Sequence, residues 1–230
     1  MLEEIKERVC KANLELVKQN LVIYTWGNVS EISKDRKYIV IKPSGVNYNG
    51  MQPKDMVVVD LEGNIVEGNL RPSSDTPTHI EMYKAFDKIN AIVHTHSTWA
   101  TQWAQAERSI PAYGTTHADY FYGDIPCTRR LTKKEIENEY EKNTGKVIIE
   151  TFSNIDVESI PAVLCGGHGP FAWGKDSEEA VYHAKVLEEV AKMAYYTEMI
   201  SGEKKPISQF LLDKHYLRKH GKNAYYGQKK

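Results

Sequence analysis

The stretch VHTHST, residues 93–98, sets His94 and His96 one residue apart at the end of an apolar run, NAIV. Alternate side chains of a strand share a face, so the two imidazoles can meet one ion, with nitrogens ~2.0–2.1 Å from a zinc. A lone histidine there reads as a satisfied core residue, but a same-face pair at a strand end favours a metal. A third imidazole is offered by AVLCGGHGPFAWG, where His168 follows a short apolar strand among glycines. Glycines let backbone approach a ligand closely. Asp75, in RPSSDTPTH, is the carboxylate suited to complete the set; its plainer role is to cap the helix that follows. His79, one turn into that helix, and Cys165, which reads as core, are weaker alternatives. Three imidazoles and one carboxylate leave a divalent ion positively charged and open to further oxygens. That is a Lewis acid suited to polarising a carbonyl and stabilising an enediolate. A closed structural zinc site would be richer in thiolates.

Three small polar loops, TWGNVS, KPSG and RPSSD, share a second chemistry. Each ends a regular element and supplies backbone N–H groups, hydroxyls or an amide. Taken singly, each is a turn. Taken together, Gly27, Asn28, Lys42, Ser44, Gly45, Ser73 and Ser74 offer short donors and one cation, a cradle for a phosphate dianion.

The elements around these residues are legible from periodicity. Leu2, Ile5, Val9, Ala12 and Leu16 recur at helical spacing. VSEIS with YIVIK, and MVVVD with IVEG, flank polar turns and predict two hairpins. TPTHIEMYKAF predicts a helix capped by Thr76, with Pro77 in its first turn. NAIVHTH predicts a strand, STWATQWAQA a short helix, and TKKEIENEYEKN a further helix, while KVIIETF suits either state. PAVLC predicts a short strand running into GGHGPFAWG. Asp176 and Glu179 predict a capping box that starts the longest helix, closing at Gly202. ISQFLLDKHYLRKH predicts a last helix stopped at Gly221, with a tail that gains little by folding on its own domain. Hairpins alternating with helices suggest one sheet covered on both faces, in a single domain over residues 1–230.

Composition narrows the classes of function. With 230 residues and 41% apolar content, the chain can bury a sizeable core. A formal charge of −1 argues against a nucleic-acid surface. No apolar run approaches the ~20 residues of a membrane span. The first residues mix acids and bases, unlike a signal peptide. Three widely spaced cysteines, Cys10, Cys127 and Cys165, read as reduced thiols, so a cytoplasmic location is expected.

TWGNVS, KPSG, SSDTPTH, VHTHST, HADYFYG, GGHGPFAWG and the tail AYYGQ, in this order from about residue 5 to 228, resemble the class II aldolase/adducin-like family. Within it they are most similar to the L-ribulose-5-phosphate 4-epimerases. The resemblance implies a three-layer α/β/α sandwich around a mostly antiparallel sheet, in a fourfold-symmetric homotetramer. It implies one divalent metal per subunit, zinc with Mn2+ or Co2+ as substitutes, at His94, His96 and His168 with Asp75 beside them. Lys42 and the loops carrying Gly27, Asn28, Ser44, Gly45, Ser73 and Ser74 would hold the phosphate of a small sugar substrate. Asp119 and Tyr226 match the family's acid/base pair, contributed by a neighbouring subunit, and Thr115, Glu141 and His215 fall where it has supporting residues. The implied reaction cleaves C3–C4 of a pentulose 5-phosphate, turns the aldehyde fragment and re-forms the bond, as in L-arabinose catabolism. Two relatives mark the alternatives. L-fuculose-phosphate aldolases stop after cleavage and carry Glu where this chain has Asp75. The adducin head domain is an interaction module that lacks the metal histidines. Two departures from the pattern, Cys165-Gly166-Gly167 ahead of His168 and two lysines after the Gly-Gln ending, remove no reacting group.

Overall fold

A computed structural model describes residues 2–201 and 205–227. Helix α1 (Leu2–Lys18) buries Ile5, Val9, Ala12 and Leu16. Strands β1 (Asn28–Ile32) and β2 (Tyr38–Ile41) form the first hairpin, and β3 (Val57–Asp60) and β4 (Ile65–Glu67) the second. Then follow α2 (Thr76–Ala85), β5 (Ala91–His94), α3 (Thr98–Gln105), α4 (Thr115–Ala118), α5 (Lys133–Glu137) and α6 (Tyr140–Thr151). β6 (Ala162–Leu164), β7 (Pro170–Gly174), α7 (Ser177–Ser201) and α8 (Gln209–His220) complete the order. The seven strands form one sheet, β4-β3-β2-β1-β5-β7-β6, and every pairing in it is antiparallel.

Alternation along the central strands assigns the two faces. Glu31 of β1 accepts from Arg8 of α1 (Nε, 3.0 Å) and from the Ser177 N–H that opens α7 (3.3 Å), so α1 and α7 cover that face. Ser30, its neighbour in sequence, pairs with His79 (2.7 Å) and Tyr83 (2.8 Å) of α2 on the other. There Trp173 packs on Phe86 just past α2 and on Phe152 just past α6, and its indole N–H donates to the Val157 carbonyl at 2.7 Å. This is the expected α/β fold with helices on both sides of an antiparallel sheet.

Several local expectations change. KVIIETF is helical, within and just past α6, because Val147 and Ile148 bury against the α2 layer; packing overrides the strand preference of β-branched residues. TKKEIENEYEKN breaks into α5 and α6 at Glu139, whose φ of 55° reverses the chain. PFAWG, into which the PAVLC strand is expected to run, is a separate, fully buried strand, β7. Its proline sits at the first strand position, where a missing N–H costs least. Thr76 does not cap α2: Asp75 holds the cap position, without a side-chain capping bond. Asp176 accepts the Glu179 N–H (2.8 Å), but Glu179 takes the Lys175 N–H, so the expected box is half formed. α8 does stop at Gly221, whose N–H reaches Leu217 O at 2.9 Å. The tail folds back on α8, with the N–H groups of Tyr225 and Tyr226 on the Arg218 carbonyl (2.9 and 3.1 Å). Gly202 and the final lysines lie outside the described residues. The three cysteines are unpaired, and no described helix is long and apolar enough to cross a membrane.

Trp173 is 1% exposed at the junction of β7, α2 and α6. Trp173→Ala should therefore destabilise the protein by ~3–5 kcal/mol. Urea denaturation checks this, and a loss under ~1 kcal/mol contradicts the packing described.

Candidate metal centre

β5 lies between β1 and β7, which puts His94 directly opposite Asn28 on one side and Phe171 on the other. β5 ends at His94, so His96 stands just beyond the strand rather than on it, exposed where His94 is buried. His168 sits in the tight turn joining β6 to β7, closed by Cys165 N–H to Gly169 O at 2.9 Å. One ring nitrogen from each histidine falls in a group whose members all lie within 4.8 Å of one another. His94 Nε2 and His96 Nε2 are 3.2 Å apart. Two nitrogens at ~2.0–2.1 Å from one ion and tetrahedral angles lie ~3.3 Å apart. Gly169 makes the convergence possible: a Cβ there would stand 2.9 Å from Thr95 O and 3.3 Å from the His96 ring.

The tautomers suit an ion. His94 Nδ1 lies 2.9 Å from the Pro170 carbonyl, which only accepts, so Nδ1 carries the proton and Nε2 keeps its lone pair. Phe171 stacks on that ring at 4.2 Å and 18°, fixing its plane. Burial, then the charges of His94 and His96, push His168 down to about 3. Burial and His94 also lower His96. Both rings are therefore neutral at pH 7, the form that binds metal.

Asp75 caps no helix N–H; its Oδ2 accepts from the Asn28 amide at 2.7 Å. Burial raises its carboxyl, but His94, His79 and His168, then Asn28, outweigh that and hold it below the usual carboxylate range. His79 is not among the converging rings. It is enclosed, with Nδ1 on Ser30 Oγ, and burial drives it down to about 3. Cys165 is buried, its thiol raised by burial, and it too lies outside the group.

The three polar loops are stitched together beside these ligands. Ser73 N–H donates to Lys42 O (3.0 Å), Ser44 N–H to Arg71 O (2.9 Å), and Asn28 Nδ2 to Ser73 Oγ (3.1 Å). Gly27, at φ 99°, passes so close to β5 that a Cβ would meet His94 O at 2.8 Å. Ser44, Gly45 and Ser74 are exposed at the rim, and Asn28 Oδ1 is buried without a partner among the described residues. Lys42 is 2% exposed, with Nζ 3.2 Å from Pro43 O and 4.8 Å from the Tyr48 ring centre. No described carboxylate pairs with it, and burial lowers its pKa to about 8.

Asp119 and Tyr226 form a second group. Asp119 closes α4 and accepts from His215 Nδ1 (3.1 Å) and from Arg218 Nε (3.1 Å) and Nη2 (2.8 Å), with Lys219 Nζ at 3.6 Å. Burial opposes its ionisation, but these partners hold the carboxyl down. Arg218 and Lys219 lie 4.8 and 4.4 Å from the Tyr226 ring centre. Among the described residues, no hydrogen bond, ion pair or ring contact joins this group to the three histidines. Thr115 opens α4, and the Glu141 carbonyl accepts from Thr78 Oγ1 at 2.6 Å.

The structure also adds neighbours that motif reading passed over. Trp26, 51% exposed, stands 6.4 Å from the His96 ring. Glu188 of α7 accepts the Trp99 and Ala100 N–H groups, both at 2.9 Å, and so anchors α3 directly after His96. Tyr140 of α6 reaches His168. Trp26 lies inside TWGNVS, whereas the other two come from distant helices with no local signal.

His79 and His168, both at about 3, lie below the free value near 6.5. As pH falls the unfolded chain binds protons first. Their contribution is complete above about 6.5 and is lost progressively towards about 3, by ~1.4 kcal/mol per pH unit for each group. Chelator-treated protein should show this slope in urea denaturation between pH 6.5 and 4. A flat profile contradicts the neutral, buried rings.

The comparisons with known proteins agree with this fold. Residues 7–195 match the model for the Class II Aldolase and Adducin N-terminal domain. An L-fuculose 1-phosphate aldolase is 27% identical, with a TM-score of 0.78 over 92% of this chain and 94% of that one. The L-fuculose-1-phosphate aldolase from Thermus thermophilus is 25% identical, with a TM-score of 0.69 over 89% and 100%. YgbL from Escherichia coli, a putative aldolase/epimerase/decarboxylase, shares the fold at 19% identity and a TM-score of 0.74, over 93% and 98%. The chain belongs to the class II aldolase and adducin N-terminal domain family.

Proposed function

We propose that the protein interconverts L-ribulose 5-phosphate and D-xylulose 5-phosphate by breaking and re-forming the C3–C4 bond. The observation that carries this is the meeting, at one end of the sheet, of three converging imidazoles with a buried ammonium that no described carboxylate pairs with. A divalent cation, zinc or else Mn2+ or Co2+, held by His94, His96 and His168 with Asp75 beside them, supplies a Lewis acid for a ketone oxygen.

The chain's own groups do the rest. Lys42, Asn28 and the N–H and hydroxyl groups of the Gly27, Ser44–Gly45 and Ser73–Ser74 loops hold the phosphate. The hydrogen on C4 is not acidic, since no carbonyl adjoins it. Loss of the C4 hydroxyl proton to a base lets C3–C4 break, with its electron pair passing into the C2 ketone. The aldehyde fragment, still held by its phosphate, turns over, and the reverse step closes the bond with the opposite configuration. Asp119 and Tyr226 move that proton, one on each face, from a neighbouring subunit of a homotetramer. Their position apart from the histidines of their own chain supports that division.

A second reading is an aldolase of the L-fuculose-phosphate type, favoured by the neighbours at 27% and 25% identity. Asp75, where such aldolases carry Glu, supports the epimerase. The three histidines, absent from the adducin head, support an enzyme over an interaction module.

Metal-loaded protein given L-ribulose 5-phosphate in deuterated water should form D-xylulose 5-phosphate without deuterium at C4. Accumulation of dihydroxyacetone and glycolaldehyde phosphate establishes the aldolase reading instead, and deuterium at C4 excludes bond cleavage. Lys42→Met should raise KM for the phosphorylated substrate by about 10–100-fold, the worth of a hydrogen bond to a charged group. Turnover of unphosphorylated L-ribulose should change little. Equal effects on both would remove Lys42 from the phosphate site.

A further inference from the structure

His168 differs from His94 in how its second nitrogen is held. His94 Nδ1 has the Pro170 carbonyl at 2.9 Å, a backbone group fixed by the strand. His168 lies in a glycine-flanked turn, and the partner of its Nδ1 among the described residues is the Tyr140 hydroxyl, at 3.4 Å. That is longer than the usual ~2.9–3.0 Å of an N–H···O bond. The two rings are 6.1 Å apart and inclined at 38°.

Tyr140 is held there by several independent contacts. The left-handed Glu139, at φ 55°, turns the chain so that Tyr140 opens α6. Its carbonyl takes the Thr144 hydroxyl at 3.0 Å, and the next carbonyl, of Glu141, takes Thr78 Oγ1 at 2.6 Å. Thr78 lies in the first turn of α2, three residues after Asp75. One turn into α6, Gly145 brings the helices so close that a Cβ would meet Glu81 Cβ at 2.7 Å and Thr78 O at 3.0 Å. The contact between α2 and α6 thus delivers the phenol to His168 and starts at the carboxylate.

We propose that Tyr140 is a positioning residue of the metal centre: its phenol oxygen accepts Nδ1–H of His168, which selects the tautomer whose Nε2 is bare toward the ion. A ring that rotates freely in a turn presents the wrong nitrogen or a proton for part of the time. A fixed acceptor removes those states, and such outer partners are typically worth 10–100-fold in metal affinity. The inference rests on the metal reading of the three histidines.

Competition of Zn2+ against a chromophoric chelator tests it on wild type, Tyr140→Phe and His168→Asn. Tyr140→Phe should raise the zinc Kd by about 10–100-fold and alter the visible spectrum of the Co2+ form. Its unfolding midpoint without metal should stay near that of wild type. Wild-type zinc affinity in Tyr140→Phe, beside a large loss in His168→Asn, overturns the proposal and leaves the metal site standing. No specific zinc binding by wild type, or undiminished binding by His168→Asn, overturns the metal reading itself. Should the Phe variant not fold, long-range 1H–15N imidazole spectra of the zinc-loaded wild type decide. A protonated Nδ1 on His168 is expected, and a metal-bound Nδ1 refutes the assignment.

Discussion

The antiparallel pairing of β5 with β1 on one side and β7 on the other is the constraint on which the site depends. It fixes His94 opposite both Asn28 and Phe171, so one row across the sheet holds a candidate ligand, an amide bonded to Asp75, and the ring that stacks on the imidazole. A slip of one residue in either pairing sends His94 to the α1 and α7 face. There it would meet the pair of buried Glu31 and exposed Arg8 instead of the loops. The hydrophobic alternation of the central strands, with Val29 and Val93 on one face and Ser30 and Ile92 on the other, holds the register.

Two glycines convert that register into a site. Gly27 and Gly169 press backbone against the end of β5 from opposite neighbours, at distances no side chain allows. Asn28, directly after Gly27, and His168, directly before Gly169, are thereby brought within reach of His94. Two of the polar groups gathered this way lack a natural counterpart among the described residues: Lys42 has no carboxylate, and Asn28 Oδ1 has no donor. Burying such groups unpaired costs several kcal/mol each unless something compensates. A cation among the imidazoles and an anion at Lys42, as proposed above, would supply such counterparts.

The same economy governs the group around Asp119. One carboxylate there faces Arg218, Lys219 and His215, with the Tyr226 ring beside the two longer cations. It is built from α4 and α8, whereas the histidines stand at the ends of β5 and β6. A reaction needing both groups would have to bring them together across a subunit boundary, as in the assembly proposed above.

By itself, the sequence determined the ligand types, the elements that carry them and the loops beside them. Those are local facts, fixed by alternation in NAIVHTH, helical spacing in α1 and the turn chemistry of KPSG and RPSSD. It also carried the family, through motifs whose order the fold respects. What escaped it depends on contacts distant along the chain. PFAWG became a strand because β5 and β6 offered it a ladder, and KVIIETF became helical because α2 offered it an apolar face. Asp75 keeps the cap position of α2, but its side chain bonds to Asn28, 47 residues earlier, instead of a helix N–H. Tyr140 and Glu188 came to the site on helices whose own periodicity says only that they pack. Local sequence encodes which groups are present and how each segment prefers to fold. Which of those groups meet is decided by the tertiary structure, because close approach and burial are properties of pairs of segments.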